Sequence, residues 1–160
     1  MKKMPPKEKI HEAISALADG RIEIDGTCAY ITSSDYSKKY TVVWNPDKTN
    51  FTSNDSATYW QGYPGYPVLA VLMQMDVLPV AKDLIEHFKD INWNKLNAEY
   101  KRNYAAAADE ALSMLTPADK QKVDVAIDEI YHKLSNMNFG VKRGKEPVIK
   151  LKDSQEDGHA

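Results

Sequence analysis

Two Glu-x-x-His pairs, Glu8…His11 and Glu129…His132, carry the spacing found in carboxylate-bridged di-metal sites of helical bundles. A carboxylate and an imidazole three residues apart share a helical face, so both can reach one ion if that face turns into a bundle core. At about 100° per residue, Glu129 and His132 fall opposite the apolar stripe of Val123, Ile127, Ile130 and Leu134. Glu8 falls opposite Ile10, and His11 about a quarter-turn from it. All four are expected to face water, and no metal site is expected. Asp124, Asp128 and His132, and Asp83 with His87, read as solvated faces strengthened by Asp–His pairs four apart. His11-Glu12 does not open a zinc-protease motif, because Ser15 stands where the second histidine is required.

Nucleophilic chemistry has no anchor. There is no Gly-x-Ser-x-Gly elbow, and Cys28, the only cysteine, sits in an expected strand as a small buried filler. Gly62 and Gly65 are flanked by tyrosine and proline with no Gly-Lys-Ser/Thr after them, so they form no phosphate loop. No cofactor motif is present. Dispersed acid–base residues such as Asp25, Asp55 and His87 keep an enzyme as one alternative.

The residues best suited to recognition are Tyr59, Trp60, Tyr63 and Tyr66. Four rings, two prolines and two glycines occupy the nine residues from Tyr59 to Pro67. A backbone of that composition is bent and stiff, so its rings lose little entropy on meeting a partner. Such rings can stack on a base, a sugar or a peptide proline. The rival reading is a plug over the hydrophobic core, with Trp60 buried and the tyrosine hydroxyls wet. A second positive feature is the basic run Lys142, Arg143, Lys145, Lys150 and Lys152, which suits phosphate contact. Aromatic residues are not interleaved with it, which argues for a solvated tail.

Composition narrows the class. Hydrophobic residues at 42% and charged residues at 28% are ordinary globular usage, and 160 residues suffice for a proper core. A net charge of −2 argues against a chain built to coat nucleic acid, while leaving room for a local basic patch. The Met1-Lys2-Lys3-Met4-Pro5-Pro6 start has no apolar run of the signal-peptide kind. Val68 to Leu78 is interrupted by Gln74 and Asp76 and is too short to span a bilayer. The expectation is a soluble cytoplasmic protein without membrane contact or disulfide.

Local patterns supply the elements. Pro5 or Pro6 opens a helix with Ile10, Ala13, Ile14 and Leu17 on one face, and Gly20 stops it. Residues 21–24 alternate as a strand, Asp25-Gly26 turns the chain, and strands follow over 27–32 and 40–44. Lys48 to Ser56 reads as polar loop. Beyond the aromatic loop, a short buried helix to Met75 and a third helix from Pro79 are expected. Asn92 caps a long fourth helix carrying Trp93, Leu96, Tyr100, Tyr104, Ala108, Ala111 and Leu115 on one stripe. Thr116-Pro117-Ala118-Asp119 starts a fifth. Pro147 to Leu151 is a candidate edge strand.

The resulting fold class is α+β: an N-terminal helix, a three-stranded antiparallel sheet and a four-helix C-terminal half packed as one domain over 1–140. A basic then acidic tail, partly disordered, fills 141–160. The functional reading is a non-enzymatic binding or regulatory module that uses the Tyr59–Tyr66 loop to engage a protein or a small ligand. The second reading is a nucleic-acid-binding accessory protein using the basic segment.

Overall fold

The computed structural model describes residues 3–151, which mix seven helices with a six-stranded sheet. Helix α1 (Glu8–Ala18) precedes a meander of β1 (Ile22–Asp25), β2 (Cys28–Thr32), β3 (Lys38–Trp44) and β4 (Asn50–Ser53). Helices α2 (Ser56–Gln61), α3 (Tyr66–Gln74), α4 (Lys82–Glu86), α5 (Trp93–Glu99), α6 (Tyr104–Ala111) and α7 (Pro117–Ser135) follow. Strands β5 (Gly140–Arg143) and β6 (Ile149–Lys150) return the chain to the sheet. Lys152 lies outside the described residues.

The sheet is larger than the expected three strands. β4 occupies the stretch read as polar loop, because its Phe51 and Ser53 face inward while Asn50 and Thr52 are more exposed. β5 lies in parallel against β4, with Asn50 opposite Gly140 and Ser53 opposite Arg143, so residues 141–143 are sheet rather than tail. Strand β6 pairs with the start of β3 in the region expected to add an edge strand. Asn54 splices the two partners of β3 together. Its Oδ1 accepts from Thr41 N at 2.9 Å, and its Nδ2 donates to Glu146 O at 3.0 Å, between the ladders made by β4 and β6.

Helix α1 is the axis of the core. Residues Lys9 to Ala16 are all buried, packed chiefly against α3 and also against α4, α6 and α7. This corrects the expectation that His11 faces water: a single wheel assumes one dry face, and α1 has neighbours on several sides. Helix α3 is apolar all round, as expected, and Pro67 to Met73 are buried. Trp93 is buried, and its indole nitrogen donates to Ser15 Oγ at 2.7 Å, which satisfies both groups across 78 residues.

The expected long helix is broken into α5 and α6. Lys101 and Arg102 take left-handed φ values of 51° and 66°, and Arg102 N donates back to Asn97 O, ending α5. Asn103 then caps α6 by accepting from Ala106 N. The third helix from Pro79 shortens to the five residues of α4. Helix α7 starts as expected, with Thr116 Oγ1 accepting from Asp119 N, and buries Val123, Ile127, Ile130 and Leu134. Glu129 and His132 are exposed, as the wheel predicts.

Candidate ligand-binding cleft

The Tyr59–Tyr66 segment is not one loop. Asp55 accepts from Thr58 N and starts α2, so Tyr59 and Trp60 are helical, and Gly62 ends that helix at φ 75°. Tyr63 is then buried, 8% exposed, while Tyr66 opens α3. Trp60 is 70% exposed, which overturns its placement in the core. The rings therefore divide between an outer ledge, Tyr59 and Trp60, and an inner pair.

Tyr66 lines a cleft of about 310 Å³ that also takes Tyr40 from β3 and Tyr104 from α6. Tyr40 meets Tyr66 edge to face, with ring centroids 6.2 Å apart. The remaining walls include Lys9 and Glu12 of α1, Asn97 of α5, and Lys38 and Arg102 at the two lips. Lys9 lies 3.2 Å from Glu12 Oε2 and 4.4 Å from the centroid of the Tyr104 ring. Both members of that ion pair are buried.

The cleft perturbs its titratable groups in consistent ways. Burial pushes Glu12 up, against the pull of Lys9. Burial opposes the Lys9 charge, yet Glu12 and the Tyr104 side chain hold its proton and raise it. Burial raises Tyr40 to about 12 and Tyr66 well above its ordinary value, with nearby Asp55 adding to the first and Tyr40 to the second. All of these groups keep their protons at neutral pH or are tied to a partner. Asp55 is tied as well: it accepts from Ser53 Oγ and from Thr58 N.

Two features of the cleft are uncommitted. The Tyr66 hydroxyl is buried without a hydrogen-bond partner among the described residues. Lys38 and Arg102 have no ion-pair partner there either, and the sheet register sets Lys38 opposite Lys150, a like charge. Like charges facing each other on a sheet are unfavourable alone and become favourable beside an anion.

Of the acid–base residues Asp25, Asp55 and His87, only Asp55 lines this cleft. Lys9, Glu12, Asn97 and Arg102 were not singled out by sequence. The available signal was Asn103, a second capping residue eleven after Asn92, which marks two helices and hence a lip between them.

The basic segment also changes context. Arg143 stacks over the outer ledge, its guanidinium carbon 4.8 Å from the Tyr59 centroid and 5.8 Å from that of Trp60. Lys142 and Lys145 are exposed nearby in sequence, and Lys150 belongs to β6. The structure thus brings Arg143 of the basic segment onto two rings far from it along the chain.

A mixed α/β fold with a polar, tyrosine-lined cleft defines the class. The chain belongs to the family described as uncharacterised conserved protein UCP014422, whose model matches residues 2–140. That span contains every residue named in the cleft and ends before Arg143. Neither the curated proteins nor the solved structures yield a match to the chain. Among the described residues, no helix is long and apolar enough to cross a membrane, and no three His, Cys, Asp or Glu side chains gather as metal ligands.

Proposed function

We propose that this chain is a non-enzymatic binding module of the cytoplasm whose cleft takes a small, multiply oxygenated anion such as a hydroxy acid or a sugar phosphate. The carrying observation is the buried, unpartnered hydroxyl of Tyr66 in a cleft whose free charges, Lys38 and Arg102, are both positive. A buried hydroxyl without a partner is costly, and an oxygen of a ligand that reaches it would relieve that cost. The acids of the cleft are consumed by Lys9 and by the cap of α2, which leaves cations and hydroxyls to meet the ligand. Lys9 holds its proton and so is a poor nucleophile, which favours binding over covalent chemistry.

The test is a calorimetric and thermal-shift screen of small carboxylates and phosphates against the wild type, Tyr66→Phe and Arg102→Ala. Tyr66→Phe is expected to stabilise the free protein by about 1–2 kcal/mol and to weaken the ligand by about tenfold. Arg102→Ala, an exposed change, is expected to leave stability within about 0.5 kcal/mol and to lower affinity. A ligand bound equally by all three proteins would place it elsewhere and refute the assignment.

A further inference from the structure

Trp60 is 70% exposed, while Trp44 and Trp93 are 5% and 2% exposed. An exposed tryptophan packed edge-on to Tyr59, at 4.8 Å between centroids, is an open stacking platform rather than core. Arg143 is drawn over both rings from β5. Beside this ledge runs a cleft of about 570 Å³, lined by Asn54, Tyr59, Arg143, Lys145 and Glu146 among others.

Hydrogen bonds to the backbone and one close contact shape the cleft. Gly144 N donates to Ser53 O, and a Cβ at position 144 would sit 3.0 Å from the Ser53 carbonyl carbon, so a side chain there would press the Ser53 backbone back by a few tenths of an ångström. Asn54 fixes the far wall through Glu146 O. Lys142, Arg143 and Lys145 have no ion-pair partner among the described residues. Glu146 is the one acid on the lining. A second cleft at the opposite end of β5, lined by Gly62, Asn138 and Lys142 among others, carries no acid.

We propose that the Tyr59–Trp60–Arg143 ledge and the cleft beside Lys145 bind single-stranded nucleic acid, with bases on the rings and phosphates on the cations. Stacking uses the face that every base presents, and the cations track the backbone, so binding is tolerant of sequence and indifferent to the sugar. Arg143 over the rings and Lys145 on the lining give the ledge a positive surround, which favours a polyanion as the partner. The proposal is independent of the anion cleft.

The full chain is titrated with 15-mers of dT and of rU while tryptophan emission is followed. Because Trp44 and Trp93 are buried, quenching reports on Trp60. The expected result is quenching by both oligomers, with affinities within about threefold of each other. Two or three phosphate contacts predict a loss of about 7- to 20-fold between 50 and 200 mM salt. Trp60→Ala should weaken binding by about tenfold, Trp60→Phe by less, and Arg143→Ala should flatten the salt dependence. Absence of binding, binding without quenching, or equal affinity for a duplex would each overturn the proposal. So would full affinity in a folded Trp60→Ala variant, whose melting midpoint confirms that it is intact.

Discussion

Asp55 and Gly65 close the turn between α2 and α3 upon each other. The Asp55 carboxylate fills the space that a side chain at position 65 would need, since a Cβ built there comes within 2.8 Å of Asp55 Cγ. The same carboxylate caps α2, and Gly65 N donates to Thr58 Oγ1 at 2.9 Å. The contact holds Tyr66 at the cleft and Tyr59 on the ledge, so one buried cap serves both candidate sites.

Gly65→Ala is therefore expected to destabilise the protein by about 1–3 kcal/mol through overpacking. Urea denaturation measures the loss. In a double-mutant cycle, shortening the neighbour with Asp55→Ser should recover part of it, and strict additivity would show that the two residues do not compete for space.

Acid sensitivity should centre on His11. Its ring packs against Phe88 at 5.6 Å and Trp93 at 6.2 Å, and burial lowers its pKa from 6.5 to about 4. Lys7, Lys120 and Asp124 face it from the groove between α1, α6 and α7. The unfolded chain binds the proton more readily, so the contribution is complete above pH 6.5 and is lost as pH falls through 4. The shift corresponds to about 3 kcal/mol. His11→Phe keeps the ring packing and should flatten stability between pH 6.5 and 4; an unchanged slope would place the sensitivity elsewhere. Glu12, raised by burial, acts with the opposite sign above its ordinary range, which the comparison subtracts out.

Ser15→Ala should cost about 1–3 kcal/mol, because it leaves the buried Trp93 N–H without its acceptor. Ser15→Thr keeps a hydroxyl but adds a methyl group to a fully buried site, and its effect reports how tightly α1 is packed. Loss in Ser15→Ala below about 0.5 kcal/mol would mean that water replaces the hydroxyl.

Asn103→Ala tests the break between α5 and α6. Removing the cap should cost about 1 kcal/mol, since an uncapped α6 leaves the Ala106 N–H unmet. Arg102 immediately precedes the cap, so fraying of α6 would loosen its place at the lip of the cleft. Ligand affinity should therefore fall along with stability in this variant, and an unaffected affinity would separate the two.

Elements written in short-range chemistry were legible in the sequence. The Thr116 cap, the apolar stripe of α7, the hairpin of β1 and β2, and the all-round apolar α3 need only neighbours a few residues away. The mixed architecture followed from them. What the sequence did not reveal depends on segments distant along the chain. Strand β4 is short and half polar, and becomes a strand because β3 and β5 supply ladders on both sides, the second from beyond six helices. His11 is buried because four helices surround α1, a count that no single helical wheel contains. Trp60 is exposed and Tyr63 buried because Asp55 and Gly62 wind the intervening residues into a helix and aim successive rings in different directions. Residue types and local periods are set by covalent neighbours; burial, pairing partner and the meeting of Arg143 with Tyr59 are set by packing, which only the folded chain decides.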